Sequence, residues 1–232
     1  MARILTVALA ALSLATLSLA TLSLAACQQQ ADAPAEKAGS PAAAAPAATG
    51  MPMPGAQAPA FTLVDAEGVQ RSLADFRGKI VVLEWTNEGC PYVQKHYSGA
   101  MQALQREAGE DGVVWLSVIS SAPGTQGFIE GDSARSWKAR TGAHSTHLLL
   151  DPDGRVGRAY GAKTTPDMRI IDREGRLVYV GGIDDKPTND VADLQGATNF
   201  VRAALDDVIS GKPVRTAFAS PYGCSVKYAD EA

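Results

Sequence analysis

The sequence predicts an α/β domain, a mixed β-sheet flanked by helices on both faces, preceded by a long segment that is not part of the fold. Three observations point there. Apolar, β-branched runs bounded by turn residues recur along the chain, as in Ile80-Val81-Val82-Leu83 after Gly78, the pattern of strands buried on both faces. Segments with helical spacing of apolar residues separate these runs. A hairpin and a last helix close the series, an order that places helices on both sides of one sheet. The chain has 232 residues, 46% hydrophobic and 20% charged, enough apolar content to bury a core. A net charge of -4 gives no electrostatic reason to expect nucleic acid as a partner.

In chain order, Phe61-Thr62-Leu63-Val64-Asp65 alternates and meets the turn Ala66-Glu67-Gly68, a short strand entering a hairpin. Residues 72–78 read as one helical turn ending at Gly78, and 79–86 as a strand. A helix is expected over 91–107, with Pro91 in the first turn, where its missing N–H costs nothing. Strands follow at 113–119 and 147–150, with a helix at 132–140 between them and a short helical piece at 156–160 after them. Residues 168–172 and 176–180 flank Arg173-Glu174-Gly175 as a hairpin, and 193–210 make a final amphipathic helix.

The first residues carry a different message. Arg3 precedes an apolar, small-residue stretch over 4–24, the layout of an export signal. Leu24-Ala25-Ala26-Cys27 resembles the bacterial lipobox, so 1–26 is expected to be removed and Cys27 to carry a lipid. Residues 27–58 are then the lipidated Cys and an Ala/Pro-rich tether, too poor in large apolar groups to offset the entropy of ordering. The domain is placed at 59–211 and a tail carrying Cys224 at 212–232. The expected address is the cell envelope, lipid-anchored and facing the periplasm, with Gln28 favouring the outer membrane. Disulfides persist in that compartment.

Cys90 stands directly between a buried strand and a helix. Unpaired N–H groups and the positive end of a helix favour the thiolate, the nucleophilic form of cysteine. After Asn87-Glu88-Gly89 a buried, inert thiol is the less expected alternative.

From about residue 55 to 210 the chain resembles the thioredoxin superfamily, in its redoxin branch of peroxiredoxins and membrane-anchored thiol reductases. The resemblance rests on Ala58-Pro59-Ala60-Phe61-Thr62-Leu63 with Asp65 and Gly68, on Phe76-Arg77-Gly78-Lys79, on Trp85 followed by Cys90-Pro91, and on Thr165-Pro166 before Ile170-Ile171-Asp172. It implies a thioredoxin-like fold, a nucleophilic Cys90, and a cis peptide at Pro166 that turns the Thr165 backbone toward Cys90. Thr165, Pro166, Pro91 and Tyr92 would then contact substrate. Glu84 would be the buried carboxylate that moves protons during exchange, although its offset from Trp85 and Cys90 leaves open a solvated edge instead.

Three departures stand out. The usual second cysteine is replaced, since the motif reads Cys90-Pro91-Tyr92-Val93. The peroxiredoxin Thr falls one residue early, at Thr86, and the peroxiredoxin Arg position is taken by Pro166, with Arg169 merely nearby. Cys224, in Pro221-Tyr222-Gly223-Cys224, is the expected resolving thiol if the tail folds back; a permanent disulfide and two sulfurs that never meet are the alternatives.

The resulting expectation is an extracytoplasmic thiol-disulfide oxidoreductase acting on protein or small-molecule thiols and disulfides, reduced by an upstream thiol system. No flavin, nicotinamide or phosphate-loop pattern is present, so no cofactor is expected. The rivals are a thiol peroxidase and a non-enzymatic lipoprotein module for copper or a partner protein, for which His96, His144 and His147 are the remaining ligand candidates; His96 is expected on a helix surface.

Overall fold

The computed structural model describes residues 51–229, so the export segment, the lipidation call at Cys27 and most of the tether lie outside the described residues. Ten strands run in chain order: β1 Thr62–Asp65, β2 Gln70–Ser72, β3 Val81–Trp85, β4 Val114–Ile119, β5 His147–Leu150, β6 Thr164–Thr165, β7 Asp167–Ile171, β8 Leu177–Gly181, β9 Phe218–Ala219 and β10 Cys224–Ser225. Six α-helices join them: α1 Pro91–His96, α2 Ala100–Glu110, α3 Gly131–Arg135, α4 Trp137–Thr141, α5 Arg155–Ala159 and α6 Phe200–Ile209.

Eight strands form one mixed sheet in the order β2-β1-β5-β4-β3-β7-β8-β9. β3 is its centre, parallel to β4 and antiparallel to β7, and every residue of β3 is buried. Its alternation divides the core. Leu83 and Trp85 face a cluster with Phe61, Val156 and Tyr160, under α5. Val82 faces the opposite cluster, where Met101 and Leu104 of α2 meet Val201 and Leu205 of α6. Trp137 of α4 extends the helical layer over Leu148. Each fully buried side chain of this size contributes roughly 1.5 to 3 kcal/mol, so the two layers fix β3, and with it the position of Cys90.

Several expected elements are divided. The helix expected over 91–107 is two helices, because Gly99 at φ 137 breaks the chain and Tyr97 leaves the spiral to reach Glu84. The helix at 193–210 reduces to α6 after a 3-10 turn at Val191–Leu194, with Asn199 capping α6 by accepting from the Arg202 N–H. The helix at 132–140 is split into α3 and α4 at Ser136.

The tether boundary at residue 58 falls inside packed structure. Gly55 N–H donates to Leu177 O at 2.7 Å, Ala58 N–H to Gly175 O at 2.9 Å, and Leu177 N–H to Ala56 O at 2.9 Å. Residues 55–58 therefore pair with the start of β8, their backbone donors satisfied there rather than by water.

The tail is the main addition to the expected fold. After α6 it returns to the sheet as β9, parallel to β8. It then crosses to the two-stranded ladder of β10 and β6, continues with Val226 N–H on Lys163 O at 3.0 Å, and ends with Tyr228 hydroxyl donating to Ala162 O at 2.8 Å.

Candidate active site

Cys90 is the N-cap of α1, with Pro91 in the first turn. The strand before it ends at Trp85, whose indole N–H donates to Ser120 Oγ at 3.1 Å. Between them, Asn87 Oδ1 accepts from Gly89 N–H at 2.9 Å and Asn87 O from Cys90 N–H at 2.9 Å, a tight turn that brings the cysteine onto the helix end.

The Thr165–Pro166 peptide is cis, and Cys90 Sγ donates to Thr165 O at 3.2 Å. Cys224 lies opposite Thr165 in the β10–β6 ladder. This register is possible because the preceding residue is glycine. At Gly223, φ is 138, and an added Cβ would stand 2.1 Å from Thr165 O. The fold thus brings together Cys90, Pro91, Thr165, Pro166 and Cys224. Tyr92 joins them indirectly, its ring edge-on to Tyr222 at 5.9 Å between centroids.

Both cysteines are free thiols, Cys90 fully buried and Cys224 partly so. The sequence suggested an accessible Cys90; instead the tail lies over it. Burial alone would raise the Cys90 thiol, but the neighbouring Cys224 and Thr165 side chains, with the N–H of Val93 facing the sulfur, hold it below its ordinary value. Cys224 moves the other way, pushed up to about 11 by burial, by its bond to Cys90 and by the charge there, against the pull of Lys227. With the two shifts opposed, it is Cys90 that ionises first.

Glu84 is fully buried, which overturns the solvated-edge alternative. Its Oε1 accepts from Tyr97 hydroxyl at 2.8 Å; its Oε2 accepts from Trp115 indole N–H at 2.7 Å, Gln105 Nε2 at 3.0 Å and Ser117 Oγ at 3.1 Å. Burial raises its pKa and these donors oppose the rise. None of the four partners is a sulfur; the network ties β3 to β4, α2 and the residue that ends α1.

Arg169 is buried beside Trp85, its guanidinium 5.5 Å from the ring, with Nη1 on Asp167 at 2.5 Å and Nη2 on Tyr160 O at 3.0 Å. It is committed to the core.

The sequence reading missed a polar cluster on the other side of α1. His96 is buried rather than on the surface, and so is Lys95. Lys95 Nζ donates to Lys186 O at 2.6 Å and sits 3.7 Å from Asp184. Tyr222 hydroxyl donates to Asp184, meets His96 Nε2 at 3.0 Å, and accepts from Lys95 Nζ at 3.4 Å. The presence of Tyr222 just before Gly223-Cys224 was the available signal. A helical wheel cannot show that a tail from over a hundred residues away covers this face. Among the described residues no three His, Cys, Asp or Glu side chains form a group that could hold a metal ion.

The loop after β4 also lines the site. Asn87 Nδ2 donates to Gln126 O at 3.2 Å, Gln126 Nε2 to Gly89 O at 3.0 Å, and Ala122 N–H to Lys227 O at 2.8 Å.

A strand-to-helix cysteine facing a cis-proline loop on this mixed sheet defines a thioredoxin-like oxidoreductase. Residues 54–180 match the AhpC/TSA family. A Mycobacterium tuberculosis protein provisionally named a peroxiredoxin is 29% identical over 155 residues, 61% of this chain and 92% of its own. The thiol-disulfide oxidoreductase ResA of Bacillus cereus is 23% identical over 126 residues, 53% of this chain and 66% of its own. A solved structure of an uncharacterised conserved protein from Geobacillus kaustophilus superposes with a TM-score of 0.69 at 26% identity, covering 79% of this chain and 96% of its own. The chain belongs to the AhpC/TSA family.

Proposed function

We propose that the protein is an extracytoplasmic thiol-disulfide oxidoreductase in which Cys90 is the nucleophile and Cys224 the resolving thiol. The observation that carries this reading is the shared partner: Thr165 accepts from Cys90 Sγ and is paired with Cys224 across the β10–β6 ladder. A nucleophile with no second cysteine in its own turn needs a thiol from elsewhere, and Cys224 is delivered to it.

The chemistry runs in two displacements. The Cys90 thiolate attacks one sulfur of a disulfide R–S–S–R, the S–S bond breaks, and R–S⁻ leaves with the bonding pair. Cys224 then gives up its proton and attacks the Cys90 sulfur, releasing the second R–S⁻ and closing the Cys90–Cys224 disulfide. The proton Cys90 loses on ionising and the one Cys224 then gives up together protonate the two released R–S⁻ groups to thiols. A dithiol reductant from outside restores the starting state. The opposed pKa shifts suit this order. Once Cys90 is in the neutral mixed disulfide, the charge that holds Cys224 up is gone, and only burial still opposes its ionisation. Glu84, buried with a raised pKa, would act through the position of α1 and the local field rather than by direct contact with sulfur.

Because the tail covers Cys90, a bulky disulfide reaches it only when residues 222–226 lift. The resemblance of Leu24-Ala25-Ala26-Cys27 to a lipobox supports an address at a membrane, facing the periplasm. Among the described residues no helix is long and apolar enough to cross a bilayer.

A peroxidase reading has one observation in its favour. Thr86 Oγ1 and Thr165 Oγ1 are buried without a hydrogen-bond partner, two hydroxyls beside the site that could serve a peroxide oxygen. In that chemistry the Cys90 thiolate attacks one peroxide oxygen and the O–O bond breaks. The other oxygen takes up a proton and leaves as water, giving a sulfenic acid. Cys224 condenses with that acid, releasing a second water and closing the disulfide. Asp167, Met168 O and Tyr160 O hold the two Nη groups of Arg169, and its buried Nε has no partner. Reduced protein offered glutathione disulfide or hydrogen peroxide decides between them. The proposal expects the disulfide to be consumed faster, with Cys90→Ser abolishing consumption; faster peroxide turnover transfers the assignment, and turnover unaffected by Cys90→Ser ends both.

A further inference from the structure

Tyr222 does something neither thiol can do for itself. It precedes Cys224 by two residues, and its side chain is the one link from this part of the tail into the polar cluster at the end of α1, the helix that Cys90 caps. One face of its ring meets Tyr92 of α1, and Lys95 Nζ stands 5.4 Å from the ring centroid. Its hydroxyl enters a well formed by Lys95 and His96 of α1 and by Asp184 from the loop after β8.

Part of the well is held by bonds that do not involve the tail. Lys95 is anchored on Lys186 O, and Asp184 Oδ1 accepts from Lys186 N–H at 2.9 Å. Lys95 and Asp184 are a buried pair at 3.7 Å, and such a pair is costly unless further hydrogen bonds satisfy it. The Tyr222 hydroxyl supplies one to Asp184 and accepts one from Lys95. Withdrawing it removes both bonds and the cover over Lys95 and His96, so the tail is held by more than the two-residue β10 ladder.

We propose that Tyr222 is a positioning residue that sets the effective concentration of Cys224 at Cys90. This rests on the resolving role given to Cys224 above and deepens it. An intramolecular partner works through the local concentration its tether imposes. On the side of α6, Gly223 adds freedom next to Cys224 and Tyr222 removes it; beyond Cys224 the tail is held by Val226 N–H on Lys163 O and Tyr228 hydroxyl on Ala162 O. The ring fixes the tail laterally against Tyr92, and the hydroxyl fixes its depth against Asp184.

The test uses the full chain with Tyr222→Ala, Tyr222→Phe and, as a tail reference, Phe218→Ala, whose side chain is exposed. Each is equilibrated with defined ratios of glutathione and glutathione disulfide, quenched, and the Cys90–Cys224 disulfide quantified by peptide mass. Tyr222→Ala is expected to lower the equilibrium constant for that disulfide at least tenfold, a rise in potential of about 30 mV, and to speed Cys90 alkylation in the dithiol form. Tyr222→Phe, which keeps the ring and loses the hydroxyl, falls between, and it carries the test alone if Tyr222→Ala does not fold. Phe218→Ala matches the unsubstituted chain. A disulfide that forms in both Tyr222 variants with an equilibrium constant within twofold of the original overturns the positioning role and leaves the resolving role standing. No Cys90–Cys224 disulfide in the unsubstituted chain overturns the resolving role and the inference with it.

Discussion

Cys224 lies directly across a two-residue antiparallel ladder from Thr165, whose carbonyl accepts the Cys90 thiol. The second sulfur is therefore positioned by backbone pairing to the cis-proline loop.

Removing the second thiol changes the first. Cys224 is the foremost of the groups that hold Cys90 below its ordinary value against burial. In Cys224→Ala the Cys90 pKa is expected to rise, and at a fixed pH below it the rate of alkylation per exposed thiol falls. The midpoint of the alkylation rate against pH reads this. An unchanged or lower midpoint would show that Cys224 does not support the thiolate.

Gly223 carries a steric condition. A Cβ there would overlap Thr165 O, and the backbone angle disfavours any L side chain. Gly223→Ala is expected to detach the tail while the sheet survives, costing roughly 1 to 3 kcal/mol and speeding Cys90 alkylation about tenfold or more. Denaturant unfolding and alkylation kinetics measure the two. Normal alkylation would mean that the tail tolerates the methyl group.

Glu84→Gln separates structure from proton handling. The amide turns an N–H₂ toward donors that in the original chain meet a carboxylate acceptor, at a cost of roughly 2 to 3 kcal/mol. If the carboxyl also tunes exchange, the pH profile of disulfide consumption shifts in the folded variant. A loss of stability with an unmoved profile assigns Glu84 to the scaffold alone.

His96 makes stability depend on pH. Burial and the Lys95 charge, against the pull of Asp184, bring its pKa from 6.5 to about 4. Between those values the unfolded chain binds a proton that the native chain does not, so stability rises with pH across the window and is lost as pH falls through it. The full effect is roughly 3 kcal/mol. It is read as the difference between the original chain and His96→Gln, which cancels shared contributions, including the opposite-signed one from Glu84. Parallel stability curves for the two proteins would contradict it.

Much of the fold was legible because strands such as Val81-Val82-Leu83 state their burial in their composition, and the hairpin around Gly175 in its turn residues. The site was legible where a resemblance supplied it, at Cys90 and at the cis peptide before Pro166. What could not be read depended on contacts between distant segments. Lys95 and His96 look like surface residues on a helical wheel until Tyr222 covers them. Glu84 interrupts an apolar strand, and only the placement of Tyr97, Gln105, Trp115 and Ser117 shows how its charge is accommodated. The break in the helix after Cys90 follows from Gly99, a residue that long helices tolerate at modest cost.

The most direct measurement is a peptide map of the non-reduced protein after one equivalent of glutathione disulfide per reduced chain. The account requires an intramolecular bond joining the peptides that contain Cys90 and Cys224, with two glutathiones released. Glutathione left on Cys90 with Cys224 free, or Cys90 joined to a second copy of the chain, would contradict it.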